Sequence, residues 1–160
     1  MPQQEESAEV KELRKRMRDG RTPLLQAIRE TYPNYLLLRK GLERKNSEVR
    51  EQLGLLNNTF SASIKRLRES ARSMDDSGEA VLQLYQEMSK QAKEVAAFID
   101  KELPGLNKLF KPVSEAYAIY KATLDDYRHF MQQFVGKLPD GDLSGRALEL
   151  VQTEIEKSLR

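Results

Sequence analysis

From Asn34 to Met74 the chain runs roughly forty residues without a proline, and its apolar side chains keep helical spacing over nearly all of that length. Tyr35, Leu38, Leu42, Val49, Leu53, Leu56, Phe60, Ile64, Leu67, Ala71 and Met74 recur mostly at steps of 3 or 4, with one gap filled by Lys45 or Asn46. Such a pattern is one face of a long amphipathic helix. Two successive steps of 4 at Leu56, Phe60 and Ile64 make a local stutter in a heptad pattern. Gly41 and Gly54 each cost roughly 1 kcal/mol against alanine inside a helix, so a bend is expected near them and near Asn57-Asn58. The Asn57-Asn58-Thr59 triplet matches a glycosylation sequon, but its mid-helix position speaks against use.

The flanking stretches read as further helices. Residues 1–6 are polar and acidic and read as disordered. Ser7 opens a short helix carrying Val10, Leu13 and Met17 and ending at Asp19-Gly20. Thr22-Pro23 has the form of a cap followed by a first-turn proline, and the second short helix it opens carries Leu24, Leu25 and Ile28 before Tyr32-Pro33 stops it. Asn34 then caps the long helix, 34–74. Asp75-Asp76-Ser77-Gly78 is a turn, with Asp76 and Glu79 as a capping pair. The helix 78–103 follows, its seam running Val81, Tyr85, Met88, Ala92, Val95, Ile99 and Leu103 up to Pro104-Gly105. A third long helix, 106–138, carries Leu106, Phe110, Val113, Tyr117, Tyr120, Leu124, Tyr127, Met131, Phe134 and Leu138, and Pro112 either kinks it or marks its start. After Pro139-Asp140-Gly141, Asp142 caps a last helix, 143–159, with Leu143, Ala147, Leu148, Val151, Ile155 and Leu159 on one face.

No stretch has the alternation of a strand, so the expected class is all-α. Leu, Ile, Val and Phe make 39 of 160 residues, enough for one folded domain over 7–160. Charged residues make 32% of the chain and mean hydropathy is −0.68, the profile of helices that each bury a stripe. Short turns between long helices give antiparallel neighbours. The expectation is an elongated antiparallel bundle of three long helices and a C-terminal helix, with a short N-terminal helical cap. Because helix 34–74 outruns 78–103 by about fifteen residues, its Tyr35–Val49 end is expected to lack cover.

The chain holds no cysteine, which excludes disulfides, thiolate metal sites and thiol nucleophiles. Its start has no apolar core of a secretory signal, and no apolar run approaches the ~18 residues needed to span a bilayer. A soluble, cytoplasmic protein is expected. His129 is the only histidine. It shares a helix face with Asp126, as in bundle di-metal sites, but no Glu-x-x-His accompanies it. Phosphate loops, nucleophile elbows and zinc motifs are missing too. The chain is therefore read as a non-enzyme with no cofactor, no metal and no small-molecule substrate. The series Tyr117, Tyr120, Tyr127, Phe130 and Phe134 follows the seam and reads as core.

Charge is unevenly spread. Residues 1–72 hold 16 Lys/Arg against 10 Asp/Glu, and residues 73–160 hold 11 against 15. The densest basic run is Lys11, Arg14, Lys15, Arg16 and Arg18 with Arg21 beyond, and Lys65, Arg66, Arg68 and Arg72 make a second. Two functions follow. The first is an interaction or scaffold module, a subunit or adaptor binding another helical protein or itself through Tyr35, Leu38, Leu42 and Val49. The alternative is peripheral binding to an anionic membrane surface through Lys11, Arg14, Lys15, Arg18 and Arg21. Nucleic acid ranks below membrane, because no exposed aromatics accompany the basic run. No motif is specific enough to carry a family resemblance.

Overall fold

The computed structural model describes residues 6–72 and 78–160, without the side chains of Ala71 and Ala80. The expected disorder of the first residues, the seam residue Met74 and the Asp75–Ser77 turn with its Asp76 cap therefore lie outside the described residues, apart from Glu6 itself. Among those described there are three α-helices and no strand: α1 (Ala8–Arg72), α2 (Gly78–Gln132) and α3 (Arg146–Ser158), with a 3₁₀ turn at Asp140–Leu143. The protein is all-α.

Ser7 does cap α1: its hydroxyl accepts the Val10 amide at 3.3 Å, and Glu9 sits in the positive first turn. The expected stops at Gly20 and Pro33 are not stops, because α1 passes through Gly20, Pro23 and Pro33 without a break. A separate N-terminal cap of short helices is thereby replaced by one continuous helix. Gly20 is a packing residue: a Cβ there would collide with the Phe130 ring, meeting Cε2 at 2.7 Å. Each proline forfeits a bond to the carbonyl four residues earlier. Those carbonyls belong to Asp19 and Arg29, both exposed residues, and buried Met17 and Ile28 hold the helix on either side of the first turn while Ile28 and Tyr32 hold it at the second. Tertiary packing overrides local propensity here.

The same correction applies to α2. It continues through Pro104-Gly105 and Pro112, so 78–103 and 106–138 are one helix. It ends at Gln132 rather than Leu138, and residues 133–137 form turns in which Gly136 takes a φ of 79°. The last helix begins at Arg146, after Gly145 in a left-handed conformation. Asp142 does not cap it, because its carboxylate is held by Arg14 and it lies in the 3₁₀ turn.

The chain divides into two compact units, one of residues 1–40 with 112–160, the other of residues 41–111. In the first, Ile28, Tyr32, Tyr120, Tyr127, Val151 and Ile155 form the main buried cluster, and Met17, Phe134 and Leu138 form a second. The rings of Tyr32 and Tyr120 stack at 4.6 Å and those of Tyr35 and Tyr120 at 5.8 Å. α3 closes this unit with Val151 and Ile155. It is also tied by polar contacts, with the Tyr32 hydroxyl donating to Glu156 at 2.5 Å and Gln152 donating to the Tyr120 hydroxyl at 2.7 Å. Of the aromatic series, Tyr120, Tyr127 and Phe134 are core, Phe130 is half-buried, and Tyr117 is exposed with its ring 5.3 Å from Tyr35.

The second unit pairs residues 41–72 of α1 with 78–111 of α2. Contacts fall along α2 as they rise along α1, with Lys45 bound to Glu102 at 2.9 Å and Arg66 to Glu87 at 3.3 Å. Its α1 side is the expected seam from Leu42 to Leu67, all half-buried. Its α2 side is not the expected one. The packed line is Leu84, Met88, Gln91, Val95, Phe98 and Glu102, and of the predicted seam only Met88 and Val95 belong to it. Two 3/4 ladders cross at those two residues, and the Lys45–Glu102 ion pair lies on the one that packs.

Candidate interaction surfaces

The unused ladder of α2 is the most conspicuous surface in the second unit. Val81, Tyr85, Ile99, Leu103 and Phe110 are 39%, 64%, 42%, 51% and 62% exposed, and Ala92 and Ala96 between them are exposed as well. At ~100° per residue these seven positions fall within an arc of about 60°. They therefore form one stripe beside the packed line, rather than apolar residues scattered singly around the helix. Leu82, 54% exposed, borders it. The sequence carries this signal as the regular spacing of the expected seam. Periodicity shows that a face is apolar and leaves open whether the chain itself covers it.

The four residues expected to bind a partner lie elsewhere. Tyr35 packs on the main cluster of the first unit, and Leu38 is half-buried. Leu42 and Val49 are half-buried on the α1 side of the second unit. The expected lack of cover rested on α2 ending at Pro104. It does not end there, and Glu102 reaches Lys45 inside the supposedly bare segment.

The basic run is laid out along continuous α1. Lys11, Arg14, Lys15 and Arg18 line a surface concavity of about 410 Å³ together with Asp19. Arg14 is already committed. Its guanidinium pairs with Glu6 and holds Asp142 at 3.0 and 3.1 Å. The hydrogen bond to Glu6 and then that to Asp142 push its pKa further up, so it carries a fixed charge with its own counter-ions. Lys11, Lys15 and Arg18 are exposed, Arg21 is half-buried, and none has an ion pair among the described residues. In the second basic run, Arg66 is bound to Glu87 and the other described side chains are exposed.

Asp126 and His129 are both exposed, and among the described residues no three His, Asp or Glu side chains stand close enough to hold a metal ion. Thr59 of the sequon donates to the Leu55 carbonyl at 3.1 Å within α1. No described helix is long and apolar enough to cross a membrane. Compared with family models, with characterised proteins and with solved structures, the chain matches none.

Proposed function

We propose that this protein is a non-enzymatic interaction module, an antiparallel helical bundle that takes an apolar helix of a partner protein or of a second copy. The observation that carries this reading is the exposed stripe Val81, Tyr85, Ile99, Leu103 and Phe110 on α2. A continuous apolar face rimmed by polar residues is the ordinary mark of a protein-binding surface. Heptad-like spacing suits a helix as the occupant, and exposed Ala92 and Ala96 let a second backbone come close at mid-stripe. The bound helix would add a third side to a unit in which the described α1 and α2 segments bury only Ser63 fully.

The test is oligomeric state and partner capture with Ile99→Glu and Leu103→Glu. Sedimentation of the parent chain is expected to show self-association or, after capture, a defined hetero-complex that the two variants abolish while keeping their helical circular dichroism. A monomer that captures no partner, or a complex indifferent to both variants, would sink the proposal.

A second reading is peripheral binding to an anionic surface, favoured by the alignment of exposed Lys11, Lys15 and Arg18 along one concavity of α1. Flotation with vesicles containing phosphatidylserine is expected to fall when Lys11 and Lys15 are both changed to glutamate. Flotation unchanged by that double substitution would exclude it.

A further inference from the structure

A cavity of about 240 Å³ lies in the first unit, where Met17, Arg18 and Arg21 of α1 face the 3₁₀ turn and the start of α3. Three arginines line it: Arg18, Arg21 and Arg146. No hydrogen bond or ion pair to another described residue engages any of their guanidinium groups. The one carboxylate in the lining, Asp142, is bound by Arg14, which lies outside the lining and is shared with Glu6. Three arginines thus share one concavity with a single carboxylate, and the lining keeps a net positive excess, an arrangement that raises the energy of the empty site and lowers that of an anion-filled one.

The placement of Arg146 points the same way. It is the first residue of α3, where the helix dipole disfavours a cation. Gly145 before it gives the helix no side-chain cap. Helix stability does not account for an arginine at this position. Arg18 and Arg146 are exposed, so the cavity is reachable from solvent. It is smaller than the ~300–1,000 Å³ of typical organic-ligand pockets, and guanidinium forks suit the oxygens of a phosphate group.

We propose that Arg18, Arg21 and Arg146 form a binding site for a phosphate monoester dianion, whether free in solution or as a lipid headgroup. The site goes beyond the helix-binding reading and is independent of it. It shares Arg18 and Arg21 with the anionic-surface reading but needs Arg146, which that reading does not, and it does not need Lys11 or Lys15.

The test is titration of the isotope-labelled full chain with inorganic phosphate at pH 8, against sodium chloride of equal ionic strength, followed by amide resonances. Saturable shifts centred on residues 145–148 are expected with phosphate and absent with chloride. Arg146→Ala and Arg21→Ala are each expected to weaken binding about tenfold or more, the scale of one lost charge-assisted contact. Lys11→Ala with Lys15→Ala should leave it within about twofold, which separates this site from the broader basic face. Flotation with phosphatidylcholine vesicles containing phosphatidic acid identifies the source. Flotation lost in Arg146→Ala supports the site with a lipid headgroup, and saturable phosphate shifts without flotation support it with a soluble monoester. Shifts that merely follow ionic strength, or that persist in both Arg146→Ala and Arg21→Ala variants of native helicity, overturn the proposal.

Discussion

Gly20 and Gly41 are both helical glycines, and their surroundings assign them opposite consequences on substitution. A methyl group at Gly41 meets nothing within 4 Å, so Gly41→Ala is expected to stabilise by roughly 0.5–1 kcal/mol through helix propensity. At Gly20 the same methyl group collides with Phe130, whose ring is in turn held edge-on to Phe134 at 5.3 Å. Overpacking of that kind costs ~1–3 kcal/mol, which outweighs the propensity gain, so Gly20→Ala is expected to lose about 1 kcal/mol. Urea unfolding of the two single variants checks both signs. The tyrosines give a pH prediction. Burial raises the pKa of Tyr32, Tyr120 and Tyr127, and for Tyr32 the hydrogen bond to Glu156 adds to it. A raised folded-state pKa means that unfolded tyrosines, near 10, lose their protons first. Stability from these groups is therefore complete below about pH 10 and falls as pH rises above it. Urea unfolding between pH 8 and 11 should show that decline, and Tyr127→Phe should make it shallower while changing stability at pH 7 by less than ~1 kcal/mol.

Helix type was legible from the sequence throughout, and helix ends were not. Gly20, Pro33, Pro104 and Pro112 are the strongest local punctuation in the chain, yet α1 and α2 run past all of them: Gly20 keeps its backbone N–H and packs on Phe130, and each proline costs a single helical bond. Asp142 has the form of an N-cap, and only its distant partner Arg14, 128 positions away, shows otherwise. The anionic site was legible in part. Arg18 and Arg21 stood out as a basic run, whereas Arg146 is an isolated cation in the sequence and joins them only through folding. Seam choice in α2 is the most instructive miss. Apolar residues favoured the ladder through Tyr85 and Ile99, and the structure packs the ladder containing Gln91 and Glu102 instead. Gln91 contributes to that seam a buried carbonyl oxygen with no hydrogen-bond partner among the described residues. Gln91→Leu removes this unmet acceptor, and it is expected to stabilise the second unit by about 1 kcal/mol. The measurement is the thermal midpoint of the full chain, and a lower midpoint would show that the amide is engaged in solution.

Across the whole chain, buried mass is unequally shared. Every large side chain in the two buried clusters belongs to the unit made of residues 1–40 and 112–160, whereas the unit 41–111 holds half-buried seams and Ser63. Local opening free energy follows buried apolar contact. Hydrogen exchange read by mass spectrometry is therefore expected to be faster in peptides from 42–72 and 81–110 than in peptides from 17–36 and 116–134. A partner helix seated on the α2 stripe should slow the 81–110 peptides selectively.

The interrupted make-up of the first unit also bears on the order in which the chain folds. Residues 41–111 are contiguous and can pair across one short connection, whereas Ile28 and Tyr32 must wait for Tyr120, Val151 and Ile155, which come some 90 or more positions later. Closing so long a loop directly is slow, because its entropy is lost before any contact rewards it. Pairing Lys45 with Glu102 first removes most of that loop. The weaker unit would then be the one that forms earlier, bringing the two distant halves of the stronger core within reach of each other.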